Sequence, residues 1–165
     1  MKSITTSIGS ADDLDAVETV ENRCFAEGRR SSRRALRYGL RSPAQRMWIA
    51  WTRGAGGERQ VSGVLTLHWR RHSVRIYSLA VMPASRGCGL GRLLVEKAFT
   101  EARRRHALYV SLEAEKSDRR LVRWYERLGF ETVRSLPDYY AVGEDAVLMR
   151  RTVARPKRKG DKESA

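Results

Sequence analysis

A glycine-rich run in the middle of the chain has the composition of an anion-binding loop. The run Arg86-Gly87-Cys88-Gly89-Leu90-Gly91 follows an apolar stretch that ends at Val81 and leads into a helical pattern. Such a turn exposes backbone N–H groups at the positive end of a helix dipole, and glycines let the backbone approach a ligand closely. An arginine beside it adds a fork of donors for a phosphate oxygen. The segment therefore predicts a phosphate site, although it matches neither the Walker nor the Rossmann glycine pattern.

The elements that would carry this loop follow an alternating pattern of strands and helices. Residues 61–69 alternate apolar and polar side chains with a period of two, whereas Leu90, Leu93, Leu94 and Ala98 share one helical face. The same reasoning predicts strands over about 3–8, 47–51, 61–69, 74–81, 109–112, 130–134 and 146–150. Helices are predicted over about 10–25, 31–40, from 89 onward, and 117–128 with Ser117 as the cap. The order β-α-α-β-β-β-α-β-α-β-β predicts an α/β fold, a mixed sheet with helices on both faces.

Composition and charge narrow the class of protein. The chain has 165 residues, 41% of them hydrophobic, which suits one globular domain over 1–152. The net charge of +14 is concentrated in an arginine block within residues 23–53 and in the C-terminal segment 153–165, which we interpret as a disordered basic tail. No apolar run is long enough for a membrane span or a signal peptide, so we expect a cytoplasmic protein without membrane contact. Two cysteines and three scattered histidines indicate no metal site.

The glycine run and two later segments together resemble a known family. Arg86-x-x-Gly89-x-Gly91, after a strand and Pro83, resembles the acyl-CoA pyrophosphate loop of the GNAT acetyltransferase superfamily. Leu112-Glu113 and the segment 124–130, which reads WYERLGF, are similar to that family's later elements. The resemblance covers about residues 3–151. Within the superfamily, the chain resembles the RimI-like peptide N-terminal acetyltransferases through Glu113, Tyr125, and the segments 137–140 and 143–146.

The resemblance implies direct acetyl transfer from acetyl-CoA to a primary amine. It assigns cofactor contacts to the strand before the loop, to the loop itself and to the start of a later helix: Leu79, Ala80, Val81, Arg86, Gly87, Cys88, Gly89, Leu90, Gly91 and Asp118. Asp118 replaces an asparagine that is common in the family. An ionised aspartate cannot donate a hydrogen bond, so this residue also fits the simpler role of a helix cap.

The same resemblance implies two catalytic residues. Glu113 matches the position of the family's proposed base, at the end of a strand beside the cofactor strand, and Glu115 is a competing candidate on the same strand face. The alternative for Glu113 is an exposed carboxylate paired with an arginine. Tyr125 matches the family's general acid, which would protonate the leaving thiolate. Its alternative is a core aromatic residue whose hydroxyl finds a partner.

The acceptor groove of the resembling enzymes lies between the first helix pair and the last hairpin. Tyr139 and Tyr140 are predicted to bind the acceptor there, and the arginine block over 29–41 flanks the groove or forms a solvated helix face. We expect the N-terminal α-amine of a peptide or protein, such as a ribosomal protein, as the acceptor. The basic tail is a candidate contact with the ribosome or RNA, and the enzyme is expected to be a monomer or a homodimer. Two alternatives stay open: a small-amine or lysine acetyltransferase, and a basic nucleic-acid-binding module without turnover.

Overall fold

Seven strands form one mixed sheet in the order β1-β2-β3-β4-β5-β7-β6. The computed structural model describes residues 3–154. The strands are β1 (Ile4–Ile8), β2 (Gln45–Arg53), β3 (Arg59–Trp69), β4 (Ser73–Val81), β5 (Tyr109–Glu115), β6 (Glu131–Ala141) and β7 (Glu144–Thr152). The helices are α1 (Leu14–Cys24), α2 (Arg33–Arg41), α3 (Leu90–Arg104) and α4 (Arg119–Arg127). This confirms the predicted fold class and element order.

The sheet carries a hydrophobic core on each face because its strands alternate their side chains. In β2, Ile49 packs with α1 and α2, and the next residue, Ala50, packs with α3 and α4. Both residues are fully buried. One-residue alternation therefore supplies two helix-packing surfaces, and the predicted placement of helices on both faces is confirmed.

Every predicted element is present, although β2, β5, β6 and β7 are longer than predicted and one helix cap differs. Ser32 caps α2, since its hydroxyl accepts from the backbone N–H of Ala35. The prediction that Ser117 caps α4 is wrong, because the Asp118 carboxylate accepts the N–H of Leu121 at 3.0 Å. Strand β6 continues to Ala141, well beyond the predicted end at 134. As an exposed edge strand it shows little apolar alternation and tolerates a proline, so the sequence pattern ends too early.

The feature that creates the site is a separation between β4 and β5. These strands pair in parallel over Ser73–Ile76 and Tyr109–Leu112, and both then continue without pairing to each other. The next residue of β4, Tyr77, has no partner in the β3 register, where Ser78 pairs with Thr66 and Ile76 with Leu67. A bulge of this kind bends a strand locally. The ends of β4 and β5 therefore leave an open wedge with a free backbone edge.

The described residues continue to Ala154, two residues beyond the predicted domain boundary at 152. Val153 is buried against the core, and its N–H donates to the carbonyl of Leu108 at 2.9 Å. The remainder of the predicted tail, residues 155–165, lies outside the described residues. Across residues 3–154, no helix is long and apolar enough to cross a membrane.

Candidate active site

The glycine loop presents a continuous set of free backbone donors. Gly87 and Gly89 adopt φ values of +78° and +82°, which a residue with a side chain rarely reaches. No atom lies within 4 Å of where a Cβ would stand at either position, so the loop surface is open. The N–H groups of residues 87–91 donate to no described residue. The positive end of α3 and these donors together form a cradle for an anion.

This cradle closes one end of a cleft of about 500 Å³ on the α3 and α4 side of the sheet. Much of the predicted cofactor set lines it, namely Leu79, Ala80, Val81, Arg86, Gly87, Gly89, Leu90 and Gly91. Six further lining residues were not in the predicted cofactor set, among them Cys24, Phe25 and Trp124. Trp124 lies 3.2 Å from where a Cβ on Gly91 would stand, so a larger residue at 91 would push against this wall. Phe25 and Cys24 come from the end of α1. They are far from the glycine loop in the sequence, so only the tertiary structure shows that they lie beside the same cleft.

Three residues of the predicted cofactor set have other contacts. Arg86 donates through Nε to the carbonyl of Val81 at 3.0 Å, which ties the loop to the end of β4. The Cys88 thiol donates to the Ser85 carbonyl, and its side chain is absent from the cleft wall among the described residues. Asp118 likewise does not line this cleft and caps α4 instead. Asp118 as a cap follows one of the two roles that the sequence left open.

Glu113 lies on the opposite side of the sheet, facing the α1 and α2 layer. Its carboxylate accepts from Nε of Arg75 at 2.8 Å, and both side chains are about 15% exposed. Arg75 also donates to the hydroxyl of Tyr139 at 2.9 Å. Glu113 therefore pairs with an arginine, which was the alternative role considered for it from the sequence. The pair lies in a sheltered position beside the wedge rather than in an exposed one. Arg75, one strand away and 38 residues earlier, carried no signal of its own in the sequence.

Tyr125 is a residue of α4 whose side chain is buried in the core. It is 6% exposed and packs edge-to-face against Phe130, with ring centroids 5.5 Å apart. Its hydroxyl bonds to no described residue. Burial, with a smaller contribution from nearby Tyr140, raises the pKa of the Tyr125 hydroxyl above its usual value. Tyr125 therefore stays protonated at neutral pH, the form that a general acid requires.

The β6–β7 hairpin places both predicted acceptor tyrosines next to Glu113. Tyr140 donates to the backbone carbonyl of Glu113 at 3.4 Å, and its ring lies edge-to-face against Tyr139 with centroids 4.9 Å apart. The pairing of β6 with β7 is interrupted between Leu136 and Ala141. Within this interruption Asp138 adopts φ 51°, and its carboxylate accepts the N–H of Gly143. The irregular hairpin thus turns the two tyrosines toward the wedge.

One arginine closes the groove between this hairpin and the segment that joins α1 to α2. Arg29 contacts Glu115 of β5 at 2.8 Å and Glu144 of β7 at 2.5 Å. Its guanidinium also lies 4.6 Å from the centroid of the Tyr140 ring. Arg29 holds the pKa of Glu115 below its usual value, with a further contribution from Ser117. We call Arg29, Glu115 and Glu144 the Arg29 strap.

The rest of the arginine block is less available to an acceptor than its charge suggested. Arg33 pairs with Asp15 and Glu18 of α1, so the acidic first helix neutralises part of the block. Arg34 lines a second cavity of about 510 Å³ between α2 and the sheet, together with Tyr77 and Ser78. This cavity and the cofactor cleft both reach Ala80, from opposite faces of β4. Two ligands could therefore approach the end of β4 from opposite sides.

Comparison with known proteins identifies this arrangement. The model of the acetyltransferase (GNAT) family matches residues 14–130, well over half of the chain. The protein is a GNAT acetyltransferase. An uncharacterized N-acetyltransferase of Methanocaldococcus jannaschii is 34% identical over 146 residues, which are 85% of this chain and 86% of that protein. An N-alpha-acetyltransferase of Sulfurisphaera tokodaii is 38% identical over 77 residues, 45% of each chain.

A solved structure extends the match to the whole fold. The ribosomal-protein alanine N-acetyltransferase of Escherichia coli superposes with a TM-score of 0.79, covers 95% of this chain and 98% of its own, and shares 22% identity. At this identity the likeness concerns the fold. Family membership makes the GNAT chain an acyltransferase that uses acetyl-CoA, which removes the alternative of a binding module without turnover.

The residues present fit acetyl-CoA. The open Gly87 and Gly89 positions leave room for a pyrophosphate, and the free edge of β4 suits an extended amide chain, as an added strand does. When bound, acetyl-CoA supplies an acetyl group activated as a thioester. The chain's own residues would orient that group at the end of β4, offer backbone N–H groups to a developing oxyanion, and hold a proton on Tyr125. Across residues 3–154, no group of three or more His, Cys, Asp or Glu side chains could hold a metal ion.

Proposed function

We propose that this GNAT acetyltransferase acetylates the free N-terminal α-amine of a peptide or protein. The observation that carries this proposal is that both carboxylates on the acceptor side of β5 are already paired with arginine, Glu113 with Arg75 and Glu115 with Arg29. Each carboxylate already accepts a hydrogen bond from a guanidinium, so neither is a free charge that could compensate a protonated amine. This arrangement suits an amine that is partly neutral before it binds.

The ordinary pKa values of amines favour an α-amine over a lysine side chain as the acceptor. An α-amine has a pKa of about 7.7–8.0, whereas a lysine side chain has a pKa of about 10.4. At neutral pH an α-amine is neutral in a substantial fraction of molecules, and a lysine in very few. Glu113, acting directly or through water, would need to remove only the remaining proton, and Tyr125 would protonate the leaving thiolate.

The shape of the acceptor side supports a peptide. Tyr139 and Tyr140 stand at the entrance beside Glu113, and both are about 40% exposed, so they could contact a short backbone. The second cavity, with apolar walls from α1, α2 and β3, could take the first side chain. The relative in Sulfurisphaera tokodaii and the Escherichia coli enzyme, by their names, act on α-amines and on a ribosomal protein. A ribosomal protein in the cytoplasm is therefore our proposed acceptor class.

The decisive experiment measures thiol release from acetyl-CoA with a peptide library. Each peptide is supplied with a free and with a blocked N-terminus, and each contains an internal lysine. We expect turnover with free N-termini only. Turnover that survives the block would assign the activity to lysine side chains and contradict the proposal.

A matched pair of variants assigns the base. Glu113→Gln should lower turnover at pH 7 by about 10²-fold, the lower end of general-base effects, and should shift the pH–rate profile upward. Glu115→Gln removes a neighbouring carboxylate on the same strand and should leave the profile in place. If Glu115→Gln moves the profile and Glu113→Gln does not, the proposed base is wrong.

A further inference from the structure

Two basic runs that are distant in sequence meet at the end of the sheet that lies away from the active site. Arg70, Arg71 and His72 form the turn between β3 and β4, and residues 103–106, Arg-Arg-Arg-His, end α3. The N–H of Leu108 donates to the carbonyl of His72 at 2.8 Å, which fixes the two runs side by side. The Arg105 guanidinium lies 3.7 Å from the centroid of the Trp69 ring, immediately before the first run. We call residues 70–72 and 103–106 the basic patch.

The charge of the basic patch is not neutralised by the fold. All seven side chains are exposed, and none forms an ion pair with a carboxylate within residues 3–154. By contrast, Arg29, Arg33 and Arg75 are all paired. The negative end of the α3 dipole favours arginines at the end of that helix. It gives no reason for Arg70 and Arg71, which stand on a separate turn.

The described chain also ends beside the basic patch. Val153 donates its N–H to the carbonyl of Leu108, the same residue that joins the two runs. The sequence that follows Ala154 begins with Arg155 and contains five basic residues against two acidic ones. The basic segment of the sequence therefore starts from the basic end of the fold.

The basic patch stands away from the cofactor loop. It adjoins the first residues of β4 and β5, while the active site lies at their last residues. Strand β4 has nine residues, which span roughly 25–30 Å. A ligand on the basic patch would leave the wedge and both cavities open.

We propose that the basic patch binds the phosphate backbone of structured RNA. Arginine forks match phosphate oxygens, and a cluster of unpaired cations gains affinity by releasing counterions from a polyanion. Trp69 and Tyr109, which lie close to the basic patch along the chain, are already covered by Arg105 and Arg150, so they are poorly placed to stack with bases. We therefore expect contacts with the phosphate backbone of a helical RNA and no contacts that read its bases.

The partner class follows from what surrounds the charge. Within the described residues, the exposed large apolar side chain beside the basic patch is Leu108, which is 43% exposed. One such side chain offers too little apolar surface for insertion into a lipid bilayer. The choice of RNA over DNA rests on the proposed acceptor, because nascent chains and ribosomal proteins are found next to RNA. The binding itself is independent of acetyl transfer, so each can fail separately.

The test measures binding of a fluorescent RNA duplex of 20 base pairs to the full chain by anisotropy, over a series of salt concentrations. The variant R70Q/R71Q/R104Q removes three charges from the basic patch. The matched control R53Q/R127Q/R134Q removes three exposed charges, from β2, α4 and β6, that form no ion pair within residues 3–154. Both should retain acetyl transfer to a peptide, which shows that they fold.

We expect the patch variant to weaken binding at least tenfold at 0.15 M salt and to reduce the salt slope by about three, close to 0.9 per lost phosphate contact. The control should weaken binding less than twofold. Equal weakening by both variants would show that net charge alone binds RNA and would overturn the proposal. Equal affinity for a DNA duplex would overturn the choice of RNA. Patch-dependent binding to anionic vesicles without RNA binding would assign the surface to lipid and contradict it too.

A second variant tests the chain that follows the fold. Replacing Arg155, Lys157, Arg158 and Lys159 with glutamine in the full chain should leave the loss of affinity caused by R70Q/R71Q/R104Q in place. If the tail substitutions abolish binding and the patch substitutions change nothing, the patch is not part of the RNA surface.

Discussion

The cofactor cleft and the acceptor groove lie on opposite faces of the same strand and are built in different ways. The cleft uses backbone N–H groups, positive-φ glycines and apolar walls. The groove uses charged side chains from several elements, joined by Arg29 and Arg75. A backbone site depends little on side-chain identity, whereas the groove depends on particular pairs. The difference suggests that this enzyme fixes its donor through chain geometry and its acceptor through side chains.

The sharpest test concerns Tyr125, which lies where the two regions meet. Its neighbour Trp124 lines the cleft, while Tyr140 belongs to the groove. Tyr125→Phe keeps the packed ring and removes the hydroxyl. We expect kcat to fall by about 10²–10⁴-fold, the usual size of an acid–base effect, with the KM for acetyl-CoA little changed.

Steady-state kinetics of Tyr125→Phe beside Tyr38→Phe checks this. Tyr38 is 70% exposed on α2, so its substitution should change kcat little. Because burial raises the pKa of Tyr125, the wild-type enzyme should show no loss of the acid form up to the ordinary tyrosine pKa near 10. An unchanged rate in Tyr125→Phe would assign the residue to the core alone.

The second test asks whether the cleft acts apart from the groove. Arg86→Ala removes the bond to the Val81 carbonyl and a guanidinium at the cleft wall. Losing one charged hydrogen bond should raise the KM for acetyl-CoA about tenfold and leave the acceptor KM unchanged.

Titrations of both substrates with Arg86→Ala and with Arg120→Ala, an exposed α4 arginine outside the cleft wall, measure this effect. If both KM values rise together in Arg86→Ala, the loop shapes the whole site, and the separation of the two regions fails.

The smallest effect is expected at the Arg29 strap. Its side chains are 34–45% exposed, so each ion pair contributes about 0.2–1 kcal/mol. Arg29→Gln should change the acceptor KM a few-fold and remove most of its salt dependence, since exposed pairs are screened by salt. Arg29 lowers the pKa of Glu115, so the strap is fully formed above the ordinary glutamate pKa near 4.5 and is lost as the pH falls through the lowered value.

The matched control for the strap is Arg33→Gln. Arg33 also joins two carboxylates, but on α1, away from the groove. Acceptor KM values measured from 0.05 to 0.5 M salt should respond to salt in Arg33→Gln as in the wild type. The same salt response in Arg29→Gln would show that the strap does not govern acceptor entry.

Much of the cofactor side was readable in the sequence, and less of the acceptor side. The glycine run, the strand before it and the helix after it are neighbours in the chain, so their spacing predicted the loop directly. Tyr139 and Tyr140 were placed in the right hairpin. Their contacts with Arg75 and the Glu113 carbonyl were not foreseen, because these join residues 64 and 27 positions apart. The end of β6 was missed because an edge strand has too little apolar periodicity to mark it.

The sequence by itself determined the element order, the two-faced sheet and the anion-binding loop, since each rests on local periodicity or on adjacent residues. Only the tertiary structure decided which charges are available. Arg29 meets carboxylates 86 and 115 residues away, and so becomes a strap rather than a free cation. Arg70 and Arg104 stand on two runs that a backbone hydrogen bond joins, and neither pairs with a carboxylate within residues 3–154. A sequence gives only the number of charged side chains. Packing decides which of them form ion pairs, because these pairs depend on distances of a few ångströms that no local sequence pattern encodes.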